Sequence, residues 1–364
     1  MSEKIVLKGD DAIALWKAGK DTWNQWAKEN PEADVDFSDV DFSNRRKNGE
    51  PISFRKYVFP EGNVDFSGAQ FGRGLVSFFD ARFGKGDVSF IDAQFGKGDV
   101  NFRGAQFGEG NVNFSGAQFG EGEVRFYGAD WKGGCIFDPS EVRSLKSLDF
   151  SSVSIEGDLS FGQFSTSCVI DLRHSKINRP IDLDRVDINY ELESENWKKW
   201  PFHRAAKPHA STCFRRLKKL AKEADDHQRA LDFYAKEMRS SYGHSLTGWK
   251  LALFFAYDKI SDYGRSLLYP FLYLVLCTEV FGIIYWWKGT ETTRCIYDGL
   301  TFSLGHAVPL YAGSREARTG NANALFGSID KIPDYIHILT VGQGLICGVF
   351  LFLIALALRN HFRS

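Results

Sequence analysis

The sequence predicts a β-solenoid followed by a helical hairpin and a two-span α-helical membrane domain, and three observations carry that expectation. One twelve-residue phrase, Asn/Asp-Val-x-Phe-x-Gly/Asp-Ala-Gln-Phe-Gly-x-Gly, is written seven times between 51 and 134. A basic segment with two helical patterns, 193–265, follows the repeat. Two apolar stretches, 267–287 and 335–358, then reach the roughly 20 residues needed to cross a hydrocarbon layer about 30 Å thick.

Position 4 of the phrase is Phe54, Phe66, Phe78, Phe90, Phe102, Phe114 and Phe126, and position 9 is Phe59, Phe71, Phe83, Phe95, Phe107, Phe119 and Trp131. The aromatics therefore alternate at spacings of 5 and 7, which matches neither a 3.6-residue helix nor a heptad. Short extended pieces joined by corners remain. The Gly-x-Gly at positions 10 to 12 offers corner residues that accept positive φ. A unit this short cannot bury its apolar side alone, so neighbours must stack. Ala69-Gln70-Phe71 and its copies, with Val64-Asp65-Phe66 as a variant, resemble the pentads of the pentapeptide-repeat family. That resemblance implies a right-handed quadrilateral β-helix. The twelve-residue unit departs from two bare pentads by two corner residues, and two units per turn is the expectation taken here.

Length allows two or three domains in 364 residues. Bulk charge is uninformative, with Lys+Arg 45 against Asp+Glu 46. Six cysteines form no CxxC pair and show no histidine at ligand spacing, so neither metal nor cofactor is expected. Met1-Ser-Glu-Lys opens no secretory signal, because Ile5-Val6-Leu7 is cut by Lys8 and two aspartates. The repeat is expected in the cytosol.

In order, 1–33 reads as a helical cap, with Trp16, Trp23 and Trp26 on one helical face and Asn30-Pro31 as its stop. A lid of this kind shields an open solenoid edge. The repeat domain is placed at 34–192. A charged loop, Arg45-Arg46-Lys47, interrupts its first pentads, and the register slips through 135–146 before resuming at period eleven with Phe150, Phe161, Leu172 and Leu183. This domain carries 25 acidic and 18 basic residues, a net charge of −7, too diluted to favour mimicry of duplex DNA. Gly-x-Gly-Asp at 84–87 and 96–99 has the wrong period for calcium-binding nonapeptides, and no Lys-Ser/Thr follows to make a phosphate loop. The connector at 193–265 carries 15 basic and 9 acidic residues, with helices expected at 211–223 and 226–241. Positive charge just before a membrane span points to anionic lipid, and nucleic acid is not expected as a partner. The stretch 249–257 is too short to span; interfacial and core helices are both open for it.

The membrane domain is placed at 266–364. Glu279 is the one ionisable group in the first apolar stretch, which ends in Tyr285-Trp286-Trp287, an aromatic belt, before Lys288. Between the stretches, 297–311 is amphipathic, rich in small residues and too short to cross. It reads as a re-entrant half-helix, a form tolerated at membrane depth only against protein or water. The layout of span, re-entrant loop and span resembles the two-transmembrane pore module of tetrameric cation channels, without the Thr-x-Gly-Tyr-Gly filter; Ser303-Leu-Gly-His-Ala-Val-Pro309 stands in its place. The membrane tail is also similar to those of bacterial pentapeptide-repeat proteins. Candidate pore or cavity residues are Glu279, Thr301, Ser303, His306, Pro309, His337 and Gln343, and candidate helix contacts are Gly342, Gly344 and Gly348. For Glu279 the rival role is an ion pair with His337 or Arg265, and for His306 a structural loop histidine.

These expectations lead to an oligomeric inner-membrane protein, N-terminal domain and C-terminus both cytoplasmic, whose solenoid senses or docks an unidentified protein or small molecule and whose spans form an ion channel. A membrane-anchored scaffold without conduction is the rival. An enzyme is not expected, since no nucleophile elbow, HExxH, paired catalytic carboxylates or nucleotide loop is present.

Overall fold

A computed structural model describes residues 4–45, 50–142, 144–183, 185–190, 208–242, 248–308 and 314–362. The chain divides into two compact units, Met1–Ser245 and Leu246–Ser364.

In the first unit, strands of two or three residues pair in parallel, and each pairs with a strand about two phrases away. Val64, Val88 and Val112 share one ladder. Ile52, Val76, Val100, Val124, Leu148 and Ile170 share a second. Gln106, Asp130, Ser154 and Lys176 form a third, and bridges through Asp41, Gln70, Gln94, Gln118 and Glu141 mark a fourth. The register between regular turns is 24 residues, so two phrases make one turn, as expected from the corner count. The stretch 135–146 does not leave the register: Cys135 pairs with Val112 on one side and Leu159 on the other, and that turn is simply one residue shorter.

Alternation within Val-x-Phe turns the valine and phenylalanine inward, and Val64 and Phe66 are both buried while Asp65 between them is half-exposed. Rings then stack turn on turn. Phe66, Phe90 and Phe114 lie 5.1 and 4.9 Å apart and within 3° of parallel, and Phe78–Phe102 are 4.7 Å apart. These separations match the strand spacing of about 4.8 Å, so a single period serves both backbone hydrogen bonds and rings. Neighbouring columns meet edge-on, as Phe66 and Phe78 do at 5.4 Å and 83°. Each such pair contributes about 0.5–1.5 kcal/mol beyond its burial.

Glycine has two separate tasks here, and the expected assignment is corrected. Positive φ falls mainly at position 6, as at Gly68, Asp80 and Gly104, and within the Gly-x-Gly only at Gly72, Gly74 and Gly96. The position-12 glycines mostly serve close approach: a Cβ on Gly98 or Gly122 would collide with the backbone carbonyl one turn before, at Gly74 or Gly98. The side chain at position 3 also shapes the turn, since Asp65 Oδ1 accepts from Ser67 N at 2.8 Å and Asn113 Oδ1 from Ser115 N at 2.8 Å.

Both ends of this stack are covered. The expected single helical face at 1–33 is instead a strand, Val6–Lys8, and two helices, α1 (Gly9–Lys17) and α2 (Lys20–Glu29), separated because Gly19 takes φ 96°. The tryptophans still meet the core. Trp23 is fully buried and stacks on Phe37 at 5.8 Å, with Nε1 donating to Val58 O at 3.0 Å. At the other end lie α3 (Pro208–Glu223) and α4 (His227–Ser240), with Asp226 capping α4 through Arg229 N at 2.9 Å. Phe214, Leu217, Leu220, Ala230 and Phe233 belong to the same buried cluster as the phenylalanine columns. The expected connector 193–265 is therefore split. Its described helical hairpin, 208–242, completes the first unit, and several of its cations are engaged there: Arg216 donates to Ser175 O at 3.0 Å, Lys236 to Ile188 O at 3.1 Å, and Arg215 and Lys218 flank the buried Glu237 at 2.8 and 2.6 Å.

The second unit is helical: α5 (Gly248–Ser261), α6 (Leu268–Lys288), α7 (Ile296–Ala307), α8 (Ser314–Phe326) and α9 (Asp334–His361). Two of these, α6 and α9, are long and apolar enough to cross a membrane, with mean hydropathy 1.7 and 2.4. Their ends fall within a few residues of the expected spans. Most of their apolar surface faces outward, including Phe271, Leu272 and Leu276 on α6 and Ile338, Leu345 and Phe352 on α9. Helix α8 has no counterpart in the sequence expectations, because its sequence is polar around a short apolar face of the buried Ala322, Leu325 and Phe326.

Candidate functional site

The short helix α7 is held between α6 and α9. Gly282 of α6 and Gly299 of α7 let the two backbones touch: a Cβ on Gly299 would collide with the Gly282 carbonyl oxygen, and one on Gly282 with Leu300. At this crossing Ser303 Oγ donates to Thr278 O at 2.7 Å. Gln343 of α9 donates through Nε2 to Ser303 Oγ at 2.7 Å and to Ser303 O at 3.0 Å. Tyr285 completes the set by donating its hydroxyl to Gln343 Oε1 at 2.9 Å. Tyr285, Ser303 and Gln343 are each fully buried. Such a network, with its buried polar atoms partnered, fixes one arrangement of three helices.

Of the expected site residues, the fold brings together Ser303 and Gln343. His306 is half-buried, its Nδ1 sits 2.9 Å from Phe302 O, and its ring lies 4.6 Å from the Phe302 ring. Because a carbonyl only accepts, Nδ1 carries the proton and a neutral ring keeps Nε2 as acceptor. Thr301 turns its hydroxyl back to Tyr297 O at 2.8 Å. Pro309 lies outside the described residues. Glu279 and His337 are exposed on the outer surface and do not join the network. The rival ion pair with His337 or Arg265 is not formed: Arg265 is engaged by Asp262 at 2.8 Å, and Glu279 makes no ion pair among the described residues.

Two assignments made from the sequence change. Gly342 and Gly348 face open space, and a Cβ on Gly344 would come no closer than 4.0 Å to His306 O, so the close helix contact within the chain is at Gly282 and Gly299 instead. Tyr285 is not a belt aromatic like the exposed Trp287; it is a buried hydrogen-bond donor. The sequence held a signal for this, because Gly282, Tyr285 and Thr278 fall at spacings of 3 and 4 on one helical face. That face also brings Cys277 Sγ to 3.8 Å from Cys347 Sγ, both free thiols.

The first unit holds a separate cluster of ionisable groups, and here the reading of the cysteines is corrected: His209 and Cys213 are one helical turn apart on α3, with Sγ 3.5 Å from Nδ1. Asp171, His209 and Cys213 gather donor atoms of metal-ligating type within 4.8 Å of one another. Arg173 stands in the same place, bonded to both Asp171 oxygens and with Nη2 2.6 Å from His209 Nε2, so a guanidinium takes the position next to two of the three donors. Burial would raise the Asp171 carboxyl, but the Arg173 hydrogen bonds prevail and hold it below the usual carboxylate range. Burial pushes the Cys213 thiol up to about 12, which keeps it protonated and unreactive near neutrality.

Comparison with protein-family models, curated proteins and solved structures yields no match. The parallel ladders with stacked aromatics and the two outward-facing apolar helices therefore rest on the chain itself.

Proposed function

We propose that this chain is a membrane protein in which a right-handed, four-sided β-helix of the pentapeptide-repeat type docks or senses a partner on the cytoplasmic side, while α6 and α9 span the bilayer and assemble with further copies around Glu279 to form an ion path. The observation that carries it is Glu279, exposed at the middle of an apolar helix. An ionised carboxylate facing lipid there costs about 2.5–3.5 kcal/mol even on the gentler insertion scale. A neighbouring copy or a water-filled path removes that cost. Arg265 before α6 and Arg359 near the end of α9 favour the cytoplasm for both flanks.

The rival, a tethered scaffold without conduction, draws support from the three-helix network, in which Ser303 and Gln343 are turned to each other and not toward a lumen. Ion flux into liposomes carrying the purified protein separates the two. The channel reading expects flux that Glu279→Gln lowers at least tenfold while the oligomer persists in cross-linking. Absence of flux from correctly inserted oligomers would reject conduction and leave the scaffold.

A further inference from the structure

Between the last turns of the coil and α3 lies an open groove of about 840 Å³. Its lining includes Arg173 and Lys176 from the coil and Arg215, Arg216 and Lys219 from α3, against Glu223 as the lone carboxylate of the lining. Arg215 and Lys219 share their charge with Glu237 and Glu223 at 2.8 and 3.5 Å. Lys176 and Arg216 have no carboxylate partner among the described residues, so the groove keeps a surplus of positive charge.

The two guanidinium groups are held from behind by separate devices. Arg173 is clamped by the buried Asp171, with Nε 2.9 Å from Oδ1 and Nη2 2.7 Å from Oδ2. Arg216 is clamped by backbone, with Nε 3.3 Å from Leu172 O and Nη2 3.0 Å from Ser175 O. In both, Nη1 has no acceptor among the described residues. A guanidinium presents five N–H groups in a rigid plane, so two fixed contacts set the plane and leave further donors aimed by it. Side chains ordered before a ligand arrives spare it the cost of immobilising them.

We infer that this groove binds a multiply charged phosphate compound, a di- or triphosphate, through Arg173, Arg216 and Lys176. A single carboxylate would meet only one of these cations, whereas linked phosphoryl groups meet a guanidinium fork bidentately and still reach the next cation. The volume lies within the 300–1,000 Å³ typical of small-molecule sites and exceeds what one inorganic phosphate fills. This inference does not depend on conduction by the second unit.

Isothermal titration of inorganic triphosphate into the full chain in detergent tests it. One site per chain is expected, with affinity falling as salt rises and reduced at least tenfold by Lys176→Glu, a change of an exposed residue. The control Lys97→Glu, elsewhere on the coil, leaves affinity unchanged. Arg216→Lys keeps a cation but loses the fork, and weakens binding while thermal unfolding stays within a few degrees of the parent. Absence of saturable binding, or binding indifferent to Lys176→Glu, would overturn the assignment. A competition arm with soluble short-chain diacylglycerol pyrophosphate, a lipid ending in a diphosphate, distinguishes the sources: displacement of triphosphate more effective than by inorganic pyrophosphate marks a lipid headgroup as the natural occupant, and displacement no better than by pyrophosphate marks a soluble phosphate compound.

Discussion

The two units solve the same problem, satisfying backbone polar groups, with opposite uses of apolar side chains. In the coil, each strand is too short to be stable alone, so hydrogen bonds run to the turns before and after and the phenylalanines point inward. In the helical unit, hydrogen bonds stay within each helix and the large apolar residues of α6 and α9 point outward. The difference teaches where each unit is fragile. The coil depends on spacing between turns, which no single residue supplies, and the helical unit on a few polar and glycine contacts at one crossing.

The largest expected effect is therefore at a coil glycine with no chemistry of its own. Gly98→Val places side-chain atoms against the Gly74 carbonyl and should break the stack, because the atoms it meets are backbone and cannot swing aside. Overpacking in cores costs about 1–3 kcal/mol, and here no rotamer relieves it, so loss of the cooperative thermal transition is expected, read by circular dichroism. A transition unchanged by this substitution would show that stacking between turns is looser than the ladders indicate.

A smaller effect is expected at the end of the coil with pH. Asp171 has its folded pKa lowered, so its ion pair stabilises fully above the ordinary carboxylate value of about 4 and is lost as pH falls through the lower folded value. Asp171→Asn should flatten that acid limb of a thermal-stability profile without altering stability differences between neutral and mildly alkaline pH. The smallest effects belong to the helical unit, where two glycine substitutions sharpen the contrast. Gly348→Ala meets open space and should shift thermal stability of the solubilised chain by no more than about 0.5 kcal/mol, whereas Gly299→Ala should separate α7 from α6 and cost more. Equal effects at the two positions would mean that neighbouring copies, not the intrachain crossing, set the packing.

The coil was legible because its repetition multiplies a weak signal: one Val-x-Phe says little, while seven at fixed spacing mark a stack, whose 24-residue return only the ladders fix. The tasks of its glycines were not legible, because positive φ and close approach leave the same letter in the sequence. Spans were visible as runs of apolar residues, and the face shared by Thr278, Gly282 and Tyr285 was visible inside one of them, but not what it meets. The importance of Tyr285 and Gly282 comes from meeting Gln343 and Gly299, whose distance along the chain carries no local pattern. The meeting of Asp171 and Arg173 with His209 was equally remote, although the turn between His209 and Cys213 was there to be seen.

The 24-residue return has one more consequence. The phrase is written in twelves but stacked in twenty-fours, so the chain is two interleaved texts, and neighbouring words of the sequence are not neighbours on the surface. Taking every other word, position 5 along one side runs Arg55, Phe79, Arg103, Tyr127, and each cation lies over the next ring, at 4.7 and 5.3 Å. Along the other side the same position runs Ser67, Ile91, Ser115. Gain or loss of a single word would exchange the two texts from that point onward, so this coil can lengthen without scrambling its sides only by whole pairs.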